Sequence, residues 1–100
     1  MAEPTKCGDV AHTYQNYCND PVKAEITINS VESKGGCKGV SIKIYDDEGG
    51  DPDLYYKSKF PAGPDLYPVP KKGKIEICCG ELLEENQKGT CEINATVRWL

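Results

Sequence analysis

The amino-acid sequence predicts an all-β protein, a small disulfide-stapled β-sandwich of immunoglobulin-like type with two sheets and six or seven strands. Two observations lead to this prediction. Apolar and polar residues alternate with period two through several segments, which is the pattern of strands with one buried face and one wet face. The chain also has 6 cysteines in 100 residues, and an even cysteine number in a short chain indicates a disulfide framework. Its length suits one domain, residues 1–100, with one modest core.

The clearest strands lie near the C-terminus. Ile75, Ile77 and Cys79 share one face of the first strand, and the inward side chains of the second are Cys91, Ile93, Ala95, Val97 and Trp99. The polar segment 84–89 lies between them and supplies turn chemistry. These features predict a terminal hairpin.

Three further segments have strand character. The alternation of residues 22–28 ends at Lys34-Gly35-Gly36 and returns at 40–45, which predicts a second hairpin. Residues 12–18 fit a short strand or one helical turn, and residues 54–60 fit a short aromatic strand. The segment 61–70 has four prolines and is expected to be an extended edge or a loop.

The composition and charge indicate in which compartment the protein acts and which classes of partner are excluded. The cysteines favour an oxidising, extracellular compartment, and we expect a secreted protein. No apolar run is long enough for a transmembrane segment. The start at Met1 is polar, which suggests a mature chain with an added methionine. The net charge of −4 argues against nucleic acid as a partner. No sequence feature fixes the oligomeric state.

All six cysteines are predicted to form disulfides, because there is no C-x-x-C pair and only one histidine to support a zinc site. Cys79 and Cys91 share inward parity and could cross-link the terminal hairpin. Cys7–Cys91 is the favoured alternative, since it closes the longer loop. Two cysteines would then pair with the adjacent Cys78 and Cys79 in either order: Cys18 and Cys37.

Catalytic and metal chemistry find little support in the sequence. His12 is the only histidine and has no serine-containing elbow nearby, so we expect no enzyme and no cofactor. The acidic loop 46–53 could offer oxygen ligands to calcium, but its spacing differs from an EF-hand and a solvated turn is preferred.

Asn94-Ala95-Thr96 is a glycosylation sequon with Asn94 facing outward.

Aromatic residues and prolines cluster between residues 54 and 70. Such side chains make rigid, amphipathic contact area. They either cover an open end of the core or form a binding face, and the two roles are compatible. The members of this Tyr/Pro cluster are Tyr55, Tyr56, Phe60, Pro61, Pro64, Tyr67 and Pro68.

The order of these features resembles the MD-2-related lipid-recognition family of secreted β-sandwiches. The likeness rests on Cys7-Gly8, on Phe60-Pro61 and Tyr67-Pro68, and on the terminal pattern of Lys74–Ile77, Leu82–Gln87 and Cys91–Ile93. Other cysteines of that family are missing here, so the resemblance supports only the Cys7–Cys91 pairing. Residues 37–53 also resemble part of the nematode transthyretin-like proteins.

The resemblance implies an apolar small molecule or lipid held between the two sheets. The ligand is expected to enter under the segment 54–70, and the expected ligand-binding residues are Ile42, Ile44, Tyr56, Phe60, Tyr67, Ile77, Val97 and Trp99. The inward side chains are numerous enough to fill this core, whereas a ligand site needs roughly 300 Å³ or more.

The alternative hypothesis is therefore a secreted toxin, effector or inhibitor with a solid core. It would bind another protein through the Tyr/Pro cluster and the acidic loop. A calcium-dependent binding module is a third hypothesis.

Overall fold

The computed structural model describes residues 4–81 and 88–100, and these form an all-β sandwich. Two four-stranded antiparallel sheets pack face to face. Sheet A has the strand order β1-β8-β3-β6, and sheet B has the order β2-β7-β4-β5. The eight strands are β1 (Thr5–Lys6), β2 (Val10–Gln15), β3 (Val22–Lys34), β4 (Val40–Tyr45), β5 (Asp53–Lys57), β6 (Ala62–Val69), β7 (Lys74–Cys79) and β8 (Thr90–Trp99).

The predicted sandwich is confirmed, and so are most of its strands, although the described residues form eight strands where six or seven were predicted. β4 has the predicted bounds, and β3 extends as far as Lys34 before the two glycines. Of the segment 12–18, residues 12–15 lie in β2 (Val10–Gln15), whereas residues 16–18 belong to the loop that follows and form no helical turn. The described residues include no helix long and apolar enough to cross a bilayer.

Both predicted hairpins are wrong. β3 lies in sheet A and β4 in sheet B, and β7 and β8 are likewise in different sheets. β7 pairs with β2 and β4, whereas β8 pairs with β1 and β3. In both of these pairs, the second strand therefore lies in the opposite layer. Of the connection 84–89 that was predicted as the turn, residues 84–87 lie outside the described part of the chain.

The proline-rich segment 61–70 contains an edge strand. β6 pairs only with β3 among the described strands, and it closes one side of sheet A. An edge tolerates prolines because only one side of the strand needs backbone donors. Pro68 stands opposite Lys23 in this pairing.

The core consists of inward side chains from both sheets. The aliphatic residues of β3, β4 and β7 supply most of it, as period-two burial requires. The buried cluster consists of Ala24, Ile26, Ile28, Val40, Ile42, Ile44, Tyr67, Val69, Ile75 and Ile77. The prediction that Trp99 lies in this core is wrong, because the side chain is at the end of β8 and is 40% exposed.

The disulfides are Cys7–Cys37 and Cys79–Cys91, with Cα–Cα distances of 5.6 and 5.9 Å. The prediction of Cys7–Cys91 is wrong, and the rival pairing Cys79–Cys91 is the one observed. β7 and β8 lie in opposite layers, so the inward side chains of Cys79 and Cys91 meet across the core. This disulfide joins sheet A to sheet B.

Cys18 and Cys78 are free, which corrects the prediction that all six cysteines are paired. Cys18 follows β2 at one end of the sandwich, while both disulfides lie at the other end. Cys78 points away from the inward face that Cys79 occupies, because adjacent strand residues face opposite sides. Burial raises the pKa of the Cys78 thiol.

The sandwich has two distinct ends. The disulfide end holds Cys7, Cys37, Cys79 and Cys91. The loops between β2 and β3, between β4 and β5 and between β6 and β7 meet at the opposite end, which we call the cleft end.

Candidate functional site: an aromatic cleft at one end of the sandwich

A cleft of about 240 Å³ opens at the cleft end, where the last residue of β8 meets the loop between β2 and β3. Its surface is almost entirely apolar. The lining residues are Gln15, Asn16, Tyr17, Cys18, Val22 and Trp99. Tyr17 is 80% exposed and Trp99 is 40% exposed, so two large aromatic side chains border an open concave surface.

Asn16 forms the fixed base of the cleft. Its side chain is buried, and its Nδ2 donates to the backbone oxygens of Pro70 (3.0 Å) and Asp20 (3.2 Å). Its Oδ1 accepts a hydrogen bond from the backbone N–H of Cys18 at 2.9 Å. A buried amide with its hydrogen-bonding groups satisfied holds the surrounding loops in one arrangement.

Lys72 ties the second loop to the first. Its backbone N–H donates to Cys18 O (3.2 Å), and its Nζ donates to Tyr17 O (2.7 Å). Its φ of 56° lies in the left-handed region, which is uncommon for a residue other than glycine. These bonds hold Tyr17 and Cys18 in place from below, so the exposed aromatic ring stands on an ordered backbone.

Trp99 is held on sheet A by the pairing of β8 with β3. It stands opposite Ala24, and the next residue, Leu100, donates its backbone N–H to Lys23 O at 2.9 Å. Trp99 is the single tryptophan of the chain. Its fluorescence therefore reports on this cleft alone.

The structure separates the predicted ligand-binding residues into three groups. Ile42, Ile44, Tyr67 and Ile77 belong to the buried cluster, and Phe60 and Val97 pack against it at half-buried positions. Tyr56 is exposed on β5, where its hydroxyl donates to Lys38 O at 3.3 Å. Trp99 alone lines the cleft. The other cleft residues were not predicted as a site, because they lie at the end of β2, in the loop that follows and at the start of β3, and only folding brings them beside Trp99.

Part of the Tyr/Pro cluster closes the side of the sandwich where β5 faces β6. The rings of Tyr55 and Tyr67 meet edge to face with centroids 4.8 Å apart. Lys57 Nζ lies 3.0 Å from Asp65 Oδ2 and links the two sheets at the same place. This hydrogen bond raises the pKa of Lys57, and burial raises the pKa of Tyr67.

Tyr67 has an unusual polar atom. Its hydroxyl is buried and finds no hydrogen-bond partner among the described residues. We expect Tyr67→Phe to raise the free energy of unfolding by about 1 kcal/mol, because it removes a polar group whose burial is uncompensated. Urea denaturation measures the change. Tyr55→Phe is the matched control, with an expected change within about 0.5 kcal/mol. A Tyr67→Phe protein less stable than the parent would contradict this expectation.

The acidic loop also lies at the cleft end. The Asp46 carboxylate accepts a hydrogen bond from the Gly49 backbone N–H at 2.9 Å, which stabilises the turn. Asp46, Asp47 and Glu48 border a second, more polar depression together with Pro70 and Lys71. Within residues 4–81 and 88–100, no three histidine, cysteine or acidic side chains are grouped closely enough to hold a metal ion.

His12 bridges the two sheets at the side opposite Lys57. Its Nε2 lies 2.9 Å from the backbone oxygen of Ile93, so β2 of sheet B is linked to β8 of sheet A. The side chain is half-buried. This contact gives His12 a structural role between the layers.

Comparison with protein-family models, curated protein sequences and solved structures finds no match to this chain.

Proposed function

We propose that this chain is a secreted, non-enzymatic protein that binds another protein, and that the aromatic cleft receives an apolar side chain of the partner. The single observation that carries the proposal is the apolar, open cleft bordered by Tyr17 and Trp99. Tryptophan and tyrosine are enriched among the residues that dominate binding energy at protein interfaces. The two disulfides in a small domain support an oxidising, extracellular location.

The packing of the core favours a surface site over a lipid between the sheets. Ile42, Ile44 and Ile77 are at most 4% exposed and pack in one cluster. A lipid placed between the sheets would have to displace such side chains, and removing packed core contacts costs several kcal/mol. The solid-core hypothesis therefore has the stronger physical support.

The size of the cleft favours a protein partner over a free small molecule. About 240 Å³ is below the volume of roughly 300–1,000 Å³ that is usual for small-molecule sites. It is suited to one inserted side chain. The acidic loop at the same end borders a separate polar depression, and a partner that covers both would meet polar groups beside the apolar cleft, as is usual in protein interfaces.

The position of His12, the only histidine of the chain, supports a non-enzymatic role. The side chain is used to link the two sheets through Ile93 O. A general base must instead be within reach of a bound substrate.

Selection of peptides from a random displayed library tests the proposal. We expect the recovered peptides to share an aromatic or large aliphatic residue and to quench or shift the fluorescence of Trp99. Trp99→Ala should weaken their binding by about 30-fold or more, since truncating a dominant interface residue costs about 2 kcal/mol or more. Isothermal titration with purified peptides measures the affinities.

Tyr56→Ala is the matched control. Tyr56 is 40% exposed, like Trp99, but it lies opposite Ser41 towards the disulfide end. The affinity of Tyr56→Ala should stay within about twofold of the parent. If Tyr56→Ala abolished binding and Trp99→Ala left it intact, the cleft would not be the binding site. The contact surface would then lie on the Tyr/Pro cluster.

A further inference from the structure

The sequon Asn94-Ala95-Thr96 is the one motif of the sequence that the binding function leaves unused. It lies in the middle of β8, where β8 pairs with β3 in sheet A. Asn94 and Thr96 are exposed on the outer face, and Ala95 between them packs towards the core. Both residues that a glycosylation sequon requires are therefore presented to solvent.

The side chain of Asn94 is held through its oxygen. Asn29 Nδ2 donates to Asn94 Oδ1 at 3.0 Å and to Thr96 Oγ1 at 3.0 Å. A glycan is attached through the nitrogen of the asparagine amide. The contact with Asn29 uses the other atom, so a sugar on Nδ2 is compatible with this hydrogen bond in the folded protein.

The strand pairing provides room beside Asn94. The register of β3 against β8 shifts between Ile28 and Ser30, opposite this position. A shallow depression of about 280 Å³ borders Asn94 there, and its other residues are Ser30, Glu32, Glu92 and Ile93. Polar groups dominate this surface, and a carbohydrate can form hydrogen bonds with them.

We propose that Asn94 is an N-glycosylation site carrying an oligosaccharide. In the transfer, a bond forms between Asn94 Nδ2 and the anomeric carbon of the sugar. The bond from that carbon to the phosphate oxygen of a lipid-pyrophosphate-linked oligosaccharide breaks. The lipid pyrophosphate leaves, the amide loses one proton, and no electrons are transferred.

The glycan lies away from the proposed binding site. Trp99 is five positions after Asn94 in β8, which is roughly 17 Å along a strand. The oligosaccharide would cover the polar outer face of sheet A and leave the cleft open. This inference depends on passage through a eukaryotic secretory pathway and is independent of whether the cleft binds a protein.

The test is the intact mass of the full chain secreted from eukaryotic cells behind a cleavable leader. We expect a mass above that of the polypeptide. Peptide-N-glycosidase should remove the glycan that accounts for this excess and convert Asn94 to aspartate. Secreted, disulfide-bonded protein at the bare polypeptide mass would overturn the proposal. A glycan that remains on Asn94→Gln would also overturn it.

Two substitutions of Thr96 separate the sequon from folding. Thr96→Ser keeps the hydroxyl and the sequon, so the glycan should remain. Thr96→Val keeps the shape and removes the sequon, so the mass should fall to that of the polypeptide. Retention of the glycan in Thr96→Val would contradict Asn94 as the acceptor. The same protein, with and without glycan, should bind the selected peptides with equal affinity.

Discussion

Replacing Cys79 and Cys91 together by alanine is expected to lower the free energy of unfolding by about 3 kcal/mol or more. The disulfide closes a segment of 12 residues, and in the chain-entropy model a loop of this length contributes about 3 kcal/mol. Both cysteines are almost fully buried against Val31 and Ile93, so truncation also removes packed atoms. Guanidinium denaturation under non-reducing conditions measures the loss.

Cys18→Ser is the control for this experiment. Cys18 is a free cysteine at the opposite end of the molecule and is exposed, so its replacement should change the stability by no more than about 0.5 kcal/mol. A peptide map that joins Cys7 to Cys91 would contradict the disulfide arrangement. A double alanine variant as stable as the parent would contradict the role of the inter-sheet disulfide.

Ile77→Ala is expected to lower the free energy of unfolding by about 3–4 kcal/mol. Ile77 is fully buried and lies in β7, between β2 and β4. Removing a large aliphatic side chain from a packed core loses its transfer free energy and leaves a cavity, which together cost about 2–5 kcal/mol. Urea denaturation of the oxidised protein gives the value.

Leu66→Ala is the matched control for Ile77→Ala. It also truncates a branched aliphatic side chain, but Leu66 is 54% exposed on β6, so its cost should be within about 0.5 kcal/mol. A cost below about 1 kcal/mol for Ile77→Ala would indicate that its side chain borders empty space. That result would contradict the solid core.

The strands and their buried faces were predictable, whereas the partner of each strand was not. Period-two alternation shows which face of a strand is buried, and it gave β4 and the inward faces of β7 and β8. The same alternation arises whether consecutive strands pair in one sheet or stack across the core. The sequence pattern therefore could not show that β7 and β8 lie in opposite layers.

The wrong disulfide prediction follows from this ambiguity. The side chains of Cys79 and Cys91 face the core whether β7 and β8 pair in one sheet or lie in opposite sheets. Which cysteine each of them reaches depends on how the chain crosses between the sheets. Loop length favoured Cys7–Cys91 in the unfolded chain. The folded chain instead brings Cys7 to Cys37, whose Cα atoms are 5.6 Å apart.

The cleft was the least predictable feature. Trp99 was predicted to lie in the core because it alternates in step with the inward residues of β8. It is the last residue of that strand, however, and the opposite sheet does not cover it there. Tyr17 and Cys18 lie in a loop whose position depends on Asn16 and Lys72, which are hydrogen-bonded to distant backbone. Such contacts leave no periodic signal in the sequence.

The most direct test of the central claim, a filled core with binding at its surface, is a native mass spectrum, before and after solvent extraction, of the protein produced by secretion from eukaryotic cells. We expect the polypeptide, with or without an attached glycan, to carry no extractable lipid and to take up no added fatty acid or sterol. A lipid present at about one molecule per chain would contradict this expectation.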